Sequence, residues 1–475
     1  MAESSTQDFD AIVVGAGQAG PSLAVRLAQA GKRVAIVERK LVGGTCVNTG
    51  CMPTKTLVAS ARVARQVARA SEYGVEVGSP GPFRLPVAMA RAHAVTDKAR
   101  TGNETWLGNT EGVELIRGHA RFVSRDTLTV DGRRIRAPQI FLNVGGRAAI
   151  PDFPGVEDIQ YLTNVSILQL ETLPRHLAIV GGSYIGLEFA QMFRRFGSEV
   201  TVIERQPYLL PREDADICDA IRQMLQAEGI TVRTSANCIA LKPHAEGISA
   251  RVDCTEGAPD ILASHVLLAT GRRPNTDDLG LDAAGIRVND RGYIEVDDTL
   301  ATNAPGIWAL GDCNGRGAFT HTAYNDFEIV AANLLDGDSR RLSQRVPGYA
   351  LYVDPPLGRV GMNEAQARQA GHDVLVSVRP MSRVGRATEM GETTGMMKLI
   401  ADAKTRLILG AAILGIGGDE AIHGVLDMMS SSRTVDDLRW AVPIHPTVSE
   451  LWPTVALGLR PLGCGVGGGG DHPGR

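Results

Sequence analysis

Two cysteines five residues apart, Cys46 and Cys51, are the clearest chemical feature of the sequence. They lie in the segment GGTCVNTGCMPTK, residues 43–55, with glycine before each cysteine and proline just after the second. On a regular helix this spacing separates the Cα atoms by roughly 8.6 Å, whereas a disulfide rarely tolerates more than about 7 Å. If the sulfurs bond, the helix must be irregular here, and Gly50 and Pro53 allow such a distortion.

The remaining cysteines favour a redox role for this pair. The chain of 475 residues contains seven cysteines, and the other five are widely separated in sequence. This distribution is not typical of a disulfide framework or a structural zinc site, so we predict no metal. In a reducing compartment a close pair is better explained as redox-active than as structural. Two unrelated cysteines at a helix start are the alternative.

A glycine-rich turn near the N-terminus predicts a dinucleotide site. The strand-like run FDAIVV, residues 9–14, leads into GAGQAG, and a second strand-like run ends at Glu38. Glycines allow a tight turn and close approach of a pyrophosphate, the following helix N-terminus attracts its charge, and the acid accepts from ribose hydroxyls. The predicted binding residues are Gly15, Gly17, Gly20 and Glu38.

The same pattern occurs a second time. Residues 177–180 lead into GGSYIG, and the next strand-like run ends at Glu204. Serine replaces the middle glycine at position 183, which still permits close backbone approach. Two modules imply two nucleotides, and a hydride relay between them is the economical use. The alternative is a duplicated domain with one inactive site.

The second acid bears on the choice of nicotinamide nucleotide. Glu204 can accept from a ribose 2′-hydroxyl and would repel a 2′-phosphate, which favours NADH over NADPH. Arg205 and Arg212 lie close by in sequence and weaken this preference.

The rest of the chain predicts the elements that position these groups. We expect helices over 56–70 and over 87–106, the latter interrupted near Gly102, and short strands between 113 and 140. A strand over 307–311 places Asp312 near the first module, and 320–335 should be helical. From residue 345 the pattern indicates an α+β domain. The predicted fold class is α/β with two Rossmann-like dinucleotide-binding domains.

Composition excludes several classes of function. The formal net charge of −4 does not indicate the basic surface that nucleic-acid-binding proteins carry. The first ten residues are polar and acidic, and no apolar run approaches the length of a membrane span. We therefore expect no nucleic-acid partner, no signal peptide and no membrane segment, with the cytoplasm as the location.

Six motifs carry a resemblance to a known family: GAGQAG, GGTCVNTGCMPTK, GGSYIGLE, ATGRRPN, ALGD and HPTVSE, in this order. The chain resembles the FAD-dependent pyridine nucleotide-disulfide oxidoreductases, which include lipoamide dehydrogenase, glutathione reductase and mercuric reductase. The resemblance implies a homodimer in which an NAD(P) domain is inserted in the FAD domain. The implied boundaries are 1–150 and 276–344 for the FAD domain, 151–275 for the NAD(P) domain, 345–461 for the dimerisation domain and 462–475 for a flexible tail.

The resemblance also implies roles for individual residues. Tyr184 would cover the flavin face where nicotinamide docks, and Lys55 and Glu188 would form an ion pair near the flavin. The residues implied to bind FAD or the nicotinamide nucleotide are Gly15, Gly17, Gly20, Glu38, Gly44, Thr45, Lys55, Ala120, Gly145, Gly181, Ser183, Tyr184, Gly186, Glu204, Gly271, Gly311 and Asp312.

Family analogy orders the electron path. Hydride from NAD(P)H would reduce the flavin, and the electrons would pass to a Cys46–Cys51 disulfide. Cys51 would be the flavin-side thiol and Cys46 the thiol that meets the substrate. His445, oriented by Glu450 and supplied by the partner subunit, would be the base, since its ordinary pKa of about 6.5 suits proton exchange near neutrality.

The electron acceptor stays open. The sequences around the cysteines and over 317–326 look most like those of the mercuric-reductase branch. Mercuric reductase, however, carries a tyrosine at the position of His445 and has a C-terminal pair of cysteines. The tail of this chain has only Cys464, which we interpret as a cysteine without a functional role. The leading hypothesis is reduction of a small disulfide, an oxidised sulfur species or Hg(II), in cell redox homeostasis. The alternatives are a dihydrolipoamide dehydrogenase of a multienzyme complex and an idle flavoprotein acting as scaffold or redox sensor.

Overall fold

The computed structural model describes residues 6–78, 81–237, 239–252 and 259–463. The predictions made for Cys464 and for most of the flexible tail concern residues 464–475, which lie outside the described residues. Two parallel sheets and one antiparallel sheet organise the described chain. Across it, no helix combines the length and apolar character needed to span a membrane.

The first parallel sheet has five strands. In spatial order they are Ile307–Ala309, Gln139–Leu142, Ala11–Val14, Val34–Glu38 and Val113–Arg117. The central strand is buried along its whole length, which explains its unbroken apolar sequence, because helices cover both faces of such a sheet. The same part of the chain also forms a four-stranded sheet. Its strands are, in spatial order, Gln7–Asp8, Arg133–Arg136, Thr127–Val130 and Ala120–Phe122.

The second parallel sheet is built from the part of the chain between two strands of the first sheet, Gln139–Leu142 and Ile307–Ala309. Its strands are, in order, Thr231–Arg233, Glu199–Ile203, His176–Val180 and His265–Leu268. A three-stranded antiparallel sheet, Ile239–His244, Gly247–Val252 and Asp260–Ala263, belongs to the same stretch. The chain enters and leaves through Gly146–Ala148 and Arg272–Pro274, which pair with each other. This inserted arrangement agrees with the predicted order of modules, whose boundaries stay a prediction.

The third sheet is antiparallel throughout and lies in the C-terminal part. Its six strands are Gly348–Leu351, Leu357–Gly361, Ile408–Leu414, Met396–Asp402, Val374–Pro380 and Arg460–Pro461. The helices that accompany it are Glu364–Gln369, Gly385–Glu389, Gly418–Ala421, His423–Ser430, Val435–Arg439 and Trp452–Leu457. The α+β prediction for this part is confirmed.

Three helices position the candidate site, and each is named here for one of its residues. The cysteine helix is Cys51–Ala68, the tyrosine helix is Tyr184–Phe196 and the threonine helix is Thr320–Ala331. The other helices of the two parallel-sheet modules are Gly20–Gln29, Gly44–Thr49, Leu85–Asn109 and Ala215–Ala227.

The predicted interruption near Gly102 was wrong. The helix Leu85–Asn109 continues through Gly102, because nothing approaches that glycine and one glycine costs only about 1 kcal/mol in a helix. The helix predicted over 320–335 is confirmed: Thr320–Ala331 is α-helical and Ala332–Asp336 continues it as a π-helix.

Candidate active site

The two cysteines lie on either side of a break in helical structure. The helix Gly44–Thr49 carries Cys46, Cys51 starts the cysteine helix, and Gly50 between them has φ −134° and ψ −117°. A Cβ at Gly50 would lie 2.8 Å from the carbonyl oxygen of Thr45, so only glycine fits. The predicted distortion is confirmed. Both cysteines are free thiols here.

The hydrogen bonds of the pair distinguish the two sulfurs. A hydrogen bond from Cys46 lowers the pKa of Cys51 to about 6, with further lowering from Thr320 and Lys55. The same bond raises the pKa of Cys46. The hydroxyl of Thr320 lies 3.3 Å from the sulfur of Cys51, at the start of the threonine helix. These opposite pKa shifts favour the thiolate of the reduced pair on Cys51 and the proton on Cys46.

An ion pair lies one helical turn beyond Cys51. Lys55 Nζ donates to Glu188 Oε2 at 2.6 Å, and the carboxylate of Glu188 is only 5% exposed. Its other oxygen accepts from the backbone N–H of Tyr352 at 3.0 Å. Burial of an unpaired ammonium or carboxylate is costly, and this pairing offsets that cost. The predicted Lys55–Glu188 contact is present in the structure.

Aromatic rings enclose the same region. The ring of Tyr184 meets those of Phe319 and Tyr349 edge-on, with centroids 5.7 Å and 5.3 Å away. Burial, together with the nearby carboxylate of Glu213, raises the pKa of the Tyr184 phenol to about 12. The hydroxyl therefore stays protonated across the physiological range.

The first glycine-rich turn packs against its own module through Asn143. A Cβ at Gly15 would lie 2.3 Å from the carbonyl oxygen of Asn143. The side chain of Asn143 accepts from the N–H of Gly20 at 3.0 Å and donates to the carbonyl oxygen of Leu310. Sequence reasoning missed this residue, which lies in the segment FLNVGGR, residues 141–147. Glu38 accepts from the N–H groups of Ala16 and Lys40.

The second turn repeats this geometry. A Cβ at Gly181 would lie 2.3 Å from the carbonyl oxygen of Ala269. Glu204 accepts from the N–H groups of Gly182 at 2.7 Å and Gln206 at 2.8 Å, as Glu38 does in the first module. Ser183 has an extended backbone and precedes the tyrosine helix.

One cavity of about 1270 Å³ connects the first turn with the cysteines. The predicted residues that line it are Gly15, Gly17, Glu38, Gly44, Thr45, Cys46, Cys51, Lys55, Ala120, Gly145, Tyr184, Glu188, Gly311 and Asp312. The predicted residues absent from its wall are Gly20, Gly181, Ser183, Gly186, Glu204, Gly271, His445 and Glu450. The nucleotide end of the second module is thus separate from this cavity, whereas Tyr184 and Glu188 reach it from that module.

Arg272 is a further cavity residue that sequence reasoning did not single out. Its Nη2 atom donates to the carbonyl oxygen of Gly146 at 2.6 Å and lies 3.5 Å from the carboxylate of Asp312. Its Nε atom is buried and has no hydrogen-bond partner in the described chain. Burial raises the pKa of Asp312 and Arg272 opposes that rise. The wall here carries an arginine paired with a carboxylate, which suits a large polar ligand.

His445 and Glu450 lie apart from the cavity but contact each other. The Nδ1 atom of His445 is 2.8 Å from Glu450 Oε2, and the imidazole is 78% exposed. Next to it, Val442 and Ile444 are 95% and 79% exposed, and Trp440 is also exposed. The predicted pair is formed, on an apolar surface of a single chain. Among the described residues, no group of three or more His, Cys, Asp or Glu is arranged to hold a metal ion.

Comparison with known families identifies the fold. Residues 9–326 match the pyridine nucleotide-disulphide oxidoreductase model, and residues 347–456 match the dimerisation domain of the same family. The chain belongs to the pyridine nucleotide-disulphide oxidoreductase family. Membership implies FAD and NAD(P)H as the cofactors of this oxidoreductase.

Relatives of this oxidoreductase cover almost its whole length. It is 37% identical to the probable pyridine nucleotide-disulfide oxidoreductase RclA of Escherichia coli (strain K12), covering 93% of this chain and 97% of RclA. It is 33% identical to mercuric reductase of Bacillus cereus (93% and 70% covered) and 35% identical to dihydrolipoyl dehydrogenase of Thermus scotoductus (93% and 95%). The structure of the Cu(II) complex of RclA, a HOCl-induced flavoprotein disulfide reductase, matches with a TM-score of 0.86 at 36% identity, covering 95% of this chain and 99% of RclA.

Proposed function

We propose that this oxidoreductase reduces a small disulfide, an oxidised sulfur species or a soft metal ion at Cys46 and Cys51, with electrons from NAD(P)H. The observation that carries the proposal is the shared cavity, which joins Glu38 and the first glycine turn to the cysteine pair and the Lys55–Glu188 ion pair. A ligand that spans these groups must be long, with a polar end at the turn and a redox-active end at the thiols.

FAD fits this cavity. Gly15, Gly17 and Glu38 would hold its adenosine diphosphate half, since glycines allow a pyrophosphate to approach the backbone. Asp312, whose carboxylate lies 3.5 Å from the guanidinium of Arg272, would hold its central part. Thr45 and Lys55 would lie beside the flavin. Bound FAD supplies the means of taking a hydride from NAD(P)H on one face and passing two electrons to a disulfide on the other.

The protein residues control protons and charge at the cysteines. Cys51 would hold its thiolate toward the cofactor through the hydrogen bonds from Cys46 and Thr320. Cys46, which keeps its proton, would need a base before it attacks a substrate, because the thiolate is the nucleophile. We propose that His445 of the partner subunit takes that proton and that Glu450 orients its imidazole through the 2.8 Å contact.

A homodimer supplies this histidine. The chain carries the dimerisation domain of the family, and the exposed apolar side chains beside His445 would be covered by a second copy. This arrangement accounts for the distance of His445 from the cavity of its own chain. We propose the cytoplasm as the location, since a reducing compartment keeps an unstrained thiol pair available for turnover.

NADH is the proposed electron donor. One carboxylate oxygen of Glu204 accepts from the N–H of Gly182 in the second turn and the other from the N–H of Gln206, which fixes a negative charge where the adenosine ribose would bind. A 2′-phosphate would be repelled there. Arg212 lines the main cavity near Tyr184, and the N–H of Leu210, two residues before it, donates to the carbonyl oxygen of Gly182 in the second turn. Arg205 and Arg212 are therefore the arginines that would favour NADPH.

The names of the relatives indicate three classes of substrate for this chain. RclA is named a HOCl-induced flavoprotein disulfide reductase and has a Cu(II) complex, other relatives are mercuric reductases, and others are dihydrolipoyl dehydrogenases. A thiol pair favours a soft electrophile, either an oxidised sulfur or a thiophilic metal ion. Service to a multienzyme complex as a dihydrolipoyl dehydrogenase is the second candidate, favoured by His445, where mercuric reductase carries tyrosine.

A substrate panel on the purified FAD-bound protein tests the proposal. NADH and NADPH are each compared with lipoamide, glutathione disulfide, hypothiocyanite, Cu(II) and Hg(II) in excess thiol. We expect NADH-dependent turnover with a sulfur or metal acceptor that is abolished in Cys46→Ser. Turnover with lipoamide alone would favour the second candidate. Absence of turnover with every acceptor would instead indicate a scaffold or redox sensor.

A further inference from the structure

The ring of Tyr352 faces the ammonium of Lys55. Lys55 Nζ lies 4.8 Å from the ring centroid, which is within the range of a cation–π contact. The ring lines the cavity together with Lys55 and Glu188. Its hydroxyl has no hydrogen-bond partner in the described chain, so the ring face is the part of this side chain that makes a specific contact with the ion pair.

One carboxylate fixes both the ammonium and the ring. Glu188 accepts from Lys55 Nζ through Oε2 at 2.6 Å and from the backbone N–H of Tyr352 through Oε1 at 3.0 Å. Three parts of the chain meet at this point: the cysteine helix, the tyrosine helix and the turn that follows the strand Gly348–Leu351. Lys55 is thus held between a carboxylate and an aromatic face.

The next turns of the tyrosine helix hold the same loop. Gln191 accepts from the N–H of Asp354 at 2.7 Å and donates to its carbonyl oxygen at 2.9 Å. Arg195 pairs with the carboxylate of Asp354 at 2.6 Å and with Glu228 at 2.8 Å. Glu188, Gln191 and Arg195 are spaced by three and four residues and lie on one helix face. The backbone around Tyr352 is therefore fixed by side chains that are at most 6% exposed.

We propose that Tyr352 is a positioning residue that holds the Lys55 ammonium through the face of its ring. The inference rests on the proposed function, in which Lys55 lies beside the flavin. The quadrupole of an aromatic face attracts a cation, and at a partly desolvated site this attraction changes an equilibrium by roughly threefold to thirtyfold. Without the ring, the ammonium of Lys55, whose side chain is 33% exposed, would be held by the carboxylate of Glu188 alone.

The consequence is an effect on reduction potential. A fixed positive charge beside the cofactor favours its reduced, more negative form, so a less well held Lys55 would lower the flavin potential. The contact uses the ring face, so phenylalanine should replace tyrosine without loss, whereas an aliphatic side chain of similar size should not.

Redox titration of the FAD-bound protein against reference dyes tests this inference. Tyr352→Leu and Tyr352→Met should each lower the flavin midpoint potential, and Tyr352→Phe should match the wild type. If Tyr352→Leu does not fold, Tyr352→Met still tests the loss of the ring. Tyr73→Leu removes a ring from the Arg69–Tyr73 pair outside the cavity and should leave the potential unchanged.

The outcomes separate this inference from the proposed function. A potential unchanged in both aliphatic variants would overturn the positioning role, even if the wild type reduces disulfides. An equal shift in Tyr352→Phe would assign the effect to the hydroxyl and overturn the role of the ring. A wild-type protein that binds no FAD would contradict the proposed function itself, and with it the inference.

Discussion

Lys55 Nζ and Glu188 Oε2 are 2.6 Å apart although they belong to modules built around different parallel sheets. The cysteine helix and the tyrosine helix pack against each other to bring them together. Any shift of the second module relative to the first would alter this contact. The electrostatics beside the cysteines therefore depend on the docking of the two modules as well as on either module alone.

Glu188→Gln should slow reduction of the protein by NADH. The substitution keeps the shape of the side chain but leaves the Lys55 ammonium without its anionic partner. We expect the rate to fall roughly tenfold or more, since each 1.4 kcal/mol of barrier is a factor of ten. Anaerobic stopped-flow absorbance measures it, with Glu199→Gln, an exposed acid of the second module, as the control. An unchanged rate would contradict the role of the ion pair.

The thiolate of Cys51 should form near pH 6 in the two-electron-reduced protein. Its pKa is lowered from the ordinary thiol value of 9.0 to about 6, so the thiolate is present above that pH and is lost as the pH falls through it. The long-wavelength absorption of a thiolate against the flavin should follow this titration. A midpoint near the ordinary thiol value would contradict the hydrogen-bond arrangement.

Thr320→Val should raise that midpoint. The hydroxyl 3.3 Å from the Cys51 sulfur stabilises the thiolate, and a hydrogen bond to a charged group contributes about 1.5–3 kcal/mol. We expect the midpoint of the same absorption titration to rise by roughly one pH unit or more. Thr320→Ser keeps the hydroxyl and is the control. Equal midpoints in the valine and serine variants would show that the contact does not stabilise the thiolate.

His445→Ala should reduce turnover and flatten its pH dependence. General base catalysis contributes typically 100-fold to 10,000-fold, and Cys46 keeps its proton until a base removes it. Glu450→Gln should give a smaller loss, because the imidazole remains but is less well oriented. Steady-state turnover as a function of pH measures both, with His423→Ala in the same C-terminal part as the control. Full activity of His445→Ala at every pH would refute the assignment.

Asn143→Ala should destabilise the first module. The substitution leaves the buried N–H of Gly20 without its acceptor, and an unsatisfied buried donor costs about 1–3 kcal/mol. Urea unfolding monitored by circular dichroism measures the loss. Asn143→Asp keeps the acceptor for Gly20 and should be less destabilised. If aspartate were as harmful as alanine, the bond to Leu310 would be the more important one.

Short-range features of the site were predictable from sequence, whereas contacts between distant segments were not. The break at Gly50 followed from helix geometry, and the glycine turns with their acids followed from the strand-turn-helix pattern. Thr320, Asn143, Arg272 and Tyr352 contact the site from segments that are distant in sequence, so spacing and periodicity do not indicate which side chains of those segments reach it. The helix through Gly102 was mispredicted because one exposed glycine costs only about 1 kcal/mol, which the rest of the helix Leu85–Asn109 offsets.

Anaerobic titration of the FAD-bound protein with NADH, with thiols counted by a chromogenic disulfide at each step, tests the central claim most directly. We predict that one equivalent of NADH releases two thiols per chain and produces the long-wavelength thiolate–flavin absorption. Cys51→Ser should abolish that absorption and still be reduced at the flavin. Bleaching of the flavin by the first equivalent, with no new thiols and no such absorption, would contradict electron transfer to the Cys46–Cys51 pair.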